Sequence, residues 1–209
     1  MRPRFFVAPE GVEHGDALVG ALAASTPRNP DEPSLVGVLV ELAPSDARHA
    51  RTVLRVRPGE PCDVVFSGTR VLAEAVFEEV GDRVTVRVTD RATSGPASRV
   101  ELLLVQGLPQ PRKVDEVVEK GTEVGVDAFL ITLAAGSPRV PLGRLDARAA
   151  RWRSVAAEAA KQSKQLAIPE IRTAVSVEAA LDSARSEGWQ SVVLTPSATQ
   201  HLGSVLRGG

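Results

Sequence analysis

A chain of 209 residues with 43% hydrophobic content can fill one large core or two modest ones, which excludes a disordered polymer. Basic residues number 25 against 26 acidic ones, a net charge of -1, so no bulk field points to nucleic acid or membrane and only the distribution of charge is informative. A single cysteine, Cys62, excludes an intrachain disulfide, and no cysteine and histidine cluster has zinc-site spacing, so no metal is expected and a reducing, cytoplasmic setting is.

Residues 1–9 carry arginines but no apolar stretch of signal-peptide length, and nowhere do about 18 apolar residues run together. A soluble protein with no membrane partner is expected. Residues 15–33, with Ser-Thr-Pro-Arg-Asn-Pro-Asp-Glu-Pro at their end, have no periodicity and read as a mobile surface loop. Up to about residue 90 the other signals are strand-like. Apolar runs stand at 36–42 and 64–66. Val71, Ala73, Ala75 and Phe77 alternate with other residues, and Val84, Val86 and Val88 alternate with Thr85 and Arg87. That is the period of half-buried antiparallel strands. Arg57-Pro58-Gly59-Glu60, Ser67-Gly68 and Gly81-Asp82 mark the turns between them. A small β-barrel over residues 1–90 is the natural closure.

Residues 91–98 read as a linker, and the pattern then changes. The run at 102–105 suits a strand covered on both faces. Val114, Val117, Val118, Gly121 and Val124 recur at helical spacing, and 128–133 is a second buried strand. A longer helix is predicted over 145–165, with an apolar stripe through Trp152, Val155, Ala156, Ala159 and Ala160, and a third strand at 192–194. Strands alternating with helices imply right-handed crossovers and a parallel sheet, so residues 99–209 form an α/β domain.

Ligands of open parallel sheets bind beyond the carboxyl ends of the strands, here after Val105, Leu133 and Leu194. None of these loops is a glycine fingerprint or a P-loop, and His14, His49 and His201 are not tied to any serine nucleophile. Basic residues are better organised. Of the 25, 21 are arginine, whose planar fork suits phosphates and base edges, although a GC-rich coding sequence produces the same bias. Arg48, His49, Arg51, Arg55 and Arg57 fall within ten positions, and Arg48, Arg51 and Arg55 share a face if the stretch is helical. Arg2 and Arg4 join them if the first strand runs alongside. From Arg139 to Lys164 there are seven basic residues and only two acidic ones, Asp146 and Glu158, so that helix has a positive face. Such patches make phosphate contacts or are ordinary solvated faces.

Five segments carry a further signal: Met-Arg-Pro-Arg-Phe-Phe-Val at 1–7, His-Ala-Arg-Thr-Val-Leu-Arg-Val-Arg-Pro-Gly-Glu at 49–60, Arg-Lys-Val-Asp-Glu-Val-Val-Glu-Lys-Gly-Thr-Glu-Val-Gly-Val at 112–126, Lys-Gln-Ser at 161–163 and Ile-Pro-Glu-Ile at 168–171. In order and spacing they resemble the RsmE family, bacterial enzymes that methylate N3 of uridine in small-subunit ribosomal RNA. The most specific element is Lys120, Glu123, Val124, Gly125 and Val126. The resemblance implies an α/β protein with an N-terminal PUA-like β-barrel plus a SPOUT-type parallel α/β domain. A trefoil knot there binds S-adenosylmethionine, and the protein acts as a homodimer on 16S rRNA of the small ribosomal subunit. It places Leu194, Thr195 and Pro196 at the cofactor. Glu123 is by residue type a weak candidate for the catalytic base, although its place in a helical motif favours a structural or dimer-contact role, and Arg2, Arg4, Arg48, Arg51, Arg55 and Lys113 are the expected RNA contacts. Lys161 stands where the family has glutamate, and Lys164-Gln165 where it has glycine-arginine. The family's later Gly-Pro-Glu-Gly-Gly and Leu-Arg-x-Glu-Thr-Ala motifs are not in this sequence, so the knot region is expected to be truncated and the 209 residues inactive alone. The alternative is a non-catalytic RNA-binding fragment.

Overall fold

The computed structural model of the chain describes residues 2–8, 35–90, 93–94, 100–109, 111–138 and 140–205. The loop expected at 15–33 and most of the linker expected at 91–98 lie outside them. Two sheets organise the rest. The first holds β1 (Arg4–Val7), β2 (Leu39–Glu41), β3 (Pro61–Phe66), β4 (Val71–Val80), β5 (Val84–Val88) and β6 (Thr93–Ser94). Its order is β1-β3-β4-β5-β2, with β6 paired to β4. β1 runs parallel to β3 and the other pairings are antiparallel. The alternation of the sequence has its expected meaning: Val71, Ala73, Ala75 and Phe77 of β4 are buried, as are Val84, Val86 and Val88 of β5. These side chains share one core with Phe5, Val40, Val64 and Phe66, and the rings of Phe5 and Phe77 meet edge to face at 5.9 Å. A register shift between Phe77 and Glu79 bends β4 and curls the sheet around that core.

The three turns form where proline and glycine announced them. Gly59 takes φ 85° after Pro58, and the Glu60 N–H donates to the Arg57 carbonyl at 3.1 Å, which is a type II turn. The Thr69 N–H donates to Phe66 at 3.2 Å and the Gly81 N–H to Arg83 at 2.9 Å. Between β2 and β3, α1 (Pro44–His49) widens into a π-helical segment, Ala50–Leu54, that ends on Arg55 at φ 53°. The α-helical spacing expected to align Arg48, Arg51 and Arg55 is therefore broken, because the wider turn and the left-handed residue rotate Arg55 away from the i, i+4 row.

The second sheet is parallel, β7 (Leu103–Gly107), β8 (Ala128–Thr132) and β9 (Glu170–Ala174), with β8 central. α2 (Pro111–Glu123) and α3 (Leu142–Gln162) are its crossovers, and α4 (Val177–Ser186) and α5 (Leu202–Val205) follow. The Ser176 hydroxyl caps α4 by accepting the Ala179 N–H at 3.1 Å. Phe129 and Ile131 of β8 face a core shared with Val114 and Val118 of α2 and Leu145, Trp152 and Ala156 of α3. Gly121 lets α2 approach β8, since a Cβ there would lie 2.6 Å from the Phe129 ring.

Two expectations need correction. The third strand is β9, not 192–194: Glu170–Ala174 satisfies its backbone groups by pairing along its length with β8, whereas 192–194 joins no ladder among the described residues, although the outer edges of β7 and β9 have no strand partner there. Val192, Val193 and Leu194 stand 43%, 72% and 75% exposed. The alternation of Ile171 and Thr173 with Glu170 and Arg172 was the available signal for β9. β7, expected to be covered on both faces, is an edge strand and only half-buried, whereas β8 is buried throughout.

Candidate functional site

The carboxyl edge of the parallel sheet is laced by short bonds. The Leu108 N–H donates to the Thr132 carbonyl at 2.7 Å, and the Ser137 hydroxyl donates to the Leu108 carbonyl at 2.7 Å while accepting the Ala134 N–H at 2.9 Å. Gly107 permits this approach, because a Cβ there would stand 3.2 Å from that of Ala134. Lys113, exposed in the first turn of α2, belongs to the same edge. Thr195 sits in a short exposed turn, its carbonyl accepting the Ala198 N–H at 3.0 Å and its hydroxyl 3.0 Å from that of Ser197. Leu194, Thr195 and Pro196 are all exposed and by themselves enclose no ligand-sized space.

The motif Lys120 to Val126 is a helix ending. Gly125 adopts φ 90°, the Val126 N–H reaches back to Gly121 at 2.9 Å, and the Gly125 N–H to Thr122 at 3.1 Å. This is a Schellman arrangement, in which only a residue tolerant of positive φ closes the helix. Lys120 pairs with both carboxylate oxygens of Glu123 at 3.0 Å, and Gln165 donates to the Glu123 carbonyl at 2.9 Å. α2 starts at the carboxyl ends of the strands and returns, so Glu123 lies at their amino ends, the edge away from the laced loops. Its geometry is that of a helix terminus, not of a base held beside a substrate at the ligand edge.

The same amino-end edge meets the curled sheet. Lys161 of α3 donates to Asp46 of α1 at 2.7 Å, with side chains only 20% and 12% exposed. Burial by itself would lower the Lys161 pKa, but the hydrogen bond and charge of Asp46, with Glu158 adding to them, leave it raised above 10.5. Lys164 closes α3 at φ 61° and donates to the Arg2 carbonyl at 2.6 Å. Arg4, expected as an RNA contact, is only 7% exposed and donates to Asp63 at 3.2 Å and to the carbonyls of Lys164 and Gln165. Its fork is committed to capping the end of α3, so it has little left for a phosphate. Phe6 and Val65 of the curled sheet pack with Ala160 of α3 between these polar bonds. A cleft of about 680 Å³ opens beside the clamp, lined by Arg2, His49, Leu54, Glu158, Lys161 and Gln162 among others.

The remaining expected contacts are on the surface. Arg2 pairs with Glu74 at 2.6 Å. Arg48 and Arg55 are exposed. Arg51 donates to the Gly81 carbonyl at 2.8 Å and, with Arg48, lines a recess of about 210 Å³. That recess also holds Arg83, which sequence reading did not single out; its fork binds Glu41, and only the β5–β2 pairing brings it there. Cys62 is no nucleophile, since burial pushes its thiol up to about 12. Among the described residues no group of His, Cys, Asp and Glu is placed to hold a metal ion, and no helix is long and apolar enough to cross a membrane.

Solved structures share this architecture. A ribosomal RNA small subunit methyltransferase E from Neisseria gonorrhoeae bound to S-adenosyl methionine superposes with a TM-score of 0.71 at 21% identity, covering 97% of this chain and 73% of that one. A Legionella pneumophila structure in complex with the bound cofactor SAM gives 0.72 at 19% identity, covering 98% and 74%. The fold is therefore that of these methyltransferases. Residues 96–207 match the model of the RNA methyltransferase domain, and the chain belongs to that family. A Mycobacterium bovis ribosomal RNA small subunit methyltransferase E is 36% identical over 159 residues, 74% of this chain. A Bacillus subtilis relative of the same name is 27% identical over 132 residues, 60% of this chain. The aligned parts make up 60% and 50% of those two relatives.

Proposed function

We propose that the chain carries the RNA-holding unit and much of the methyl-transfer domain of an enzyme that uses S-adenosylmethionine to methylate N3 of a uridine in 16S ribosomal RNA. The observation that carries this reading is the similarity to curated small-subunit methyltransferases, which runs together with a fold shared by cofactor-bound neighbours. On this reading residues 1–90 are a PUA-like barrel, a division supported by the curled sheet, and 91–98 link it to a SPOUT-type domain. The enzyme works in the cytoplasm as a homodimer. Uridine N3 loses a proton during attack, and the base or the positioning that removes it belongs at the carboxyl edge of the parallel sheet, away from Glu123.

Two measurements test this. Arg51→Ala with Arg55→Ala is expected to weaken binding of a 16S rRNA fragment and to reduce the slope of log K against log salt by about one unit per lost phosphate contact. An unchanged slope would move RNA binding elsewhere. Leu194, Thr195 and Pro196 alone offer too little buried contact for a small-molecule site. No step of catalysis is therefore assigned to them. Calorimetric titration of residues 1–209 with S-adenosylmethionine is expected to show no saturable heat, and tight binding would place the cofactor among residues outside that turn.

A further inference from the structure

We propose that the amino-terminal half of α3 is a second RNA-backbone contact, made by Arg144, Arg148 and Arg151. The proposal rests on the reading of the chain as an RNA-modifying protein and goes beyond it by assigning a surface in the α/β unit. The three arginines follow one another at spacings of four and three, so they form one row on the helix, about 10 Å long by helical rise. Arg144 and Arg151 are exposed. Arg148, between them, is half-buried, and its Nη1 is enclosed with no acceptor among the described residues, so a phosphate contact falls to its other donors. Asp115 of α2 pairs with Arg151 at 2.6 Å and steadies the row from the neighbouring helix without neutralising all of it. The residues between, Ala147 and Ala150, are small and exposed, which leaves a polyanion room to approach.

Position adds a second argument. α3 leaves the carboxyl edge of the sheet, so the row lies at the edge where ligands of parallel sheets bind. Its other end is fixed to the curled sheet through Lys161 and Asp46, two residues before Arg48.

The test is fluorescence anisotropy of a labelled 16-nucleotide RNA with the full chain, titrated from low to moderate salt. Arg144→Gln, Arg148→Gln and Arg151→Gln together are expected to weaken binding about tenfold and to lower the salt slope by about two units, equally for a scrambled sequence, since phosphates carry no base information. The corresponding triple lysine variant keeps the charges and is expected to retain the slope, which separates a contact from a folding defect. RNA binding by the wild type with an unchanged slope in the glutamine variant would overturn this assignment alone, and so would a glutamine variant that altered only self-association. No RNA binding by the wild type would overturn it together with the reading on which it rests.

Discussion

Replacing Trp152 with alanine is expected to remove about 3–5 kcal/mol of unfolding free energy, much of what a domain of ordinary stability possesses. Trp152 is 1% exposed and is the largest fully buried side chain. On α3 it stands between Ala149 and Ala156, small residues that bring the helix close to its neighbours, so one indole fills the space under α3. The core it belongs to draws on several elements: Val118 from α2, Phe129 and Ile131 from β8, and Ile171 from β9. Truncation leaves a cavity that these elements cannot jointly collapse into, because each is held by its own hydrogen bonds. Urea unfolding followed by circular dichroism measures the loss, and the remaining Trp189 still reports by fluorescence. A loss below about 1 kcal/mol would show that the helix repacks freely. Trp152→Phe, which keeps an aromatic ring in place, is expected to lose less than the alanine variant.

Breaking the clamp from one side is the second large effect. Asp46→Ala strands the mostly buried Lys161 ammonium with Glu158, at 3.4 Å, as its one ion-pair partner among the described residues. Fully buried pairs broken this way lose about 3–5 kcal/mol and exposed ones 0–1, so this partly buried pair is expected to lose about 2 kcal/mol. Lys161→Met alone has a similar expected loss, whereas Asp46→Leu with Lys161→Met recovers most of it, since neither charge is then buried unpaired. A double-mutant cycle on unfolding free energies decides, and additive losses would show that the two side chains are not coupled. The sign with pH follows from the raised Lys161 pKa. A group whose folded pKa lies above its unfolded value contributes fully below the unfolded value, here 10.5, and loses that contribution as pH rises through the folded one. Wild-type stability should thus fall above that pH more steeply than that of the leucine–methionine variant.

Local chemistry determined much of this protein from its sequence. The alternation at Val71 to Phe77 and Val84 to Val88 marked strands, because a pleated strand must place successive side chains on opposite faces. Pro58-Gly59 marked a turn because those two residues match its dihedral demands. The helical spacing from Val114 and the stripe through Trp152 marked α2 and α3 within a few residues of their ends. Tertiary structure decided the rest. An apolar run becomes a strand only where a neighbouring strand pairs with its backbone, so Glu170–Ala174 is a strand beside β8 while 192–194, which joins no ladder among the described residues, stands exposed. Which arginines face solvent depends on partners distant in sequence. Arg4 is taken up by Asp63 and the end of α3, and Arg83 is brought beside Arg48 and Arg51 by strand pairing. Glu123 belonged to the most specific motif, yet it lies at the end of a helix that returns from the ligand edge. A motif in one dimension records what residues must be near in sequence, but the edge of a sheet on which they arrive is set by the path of the chain through space.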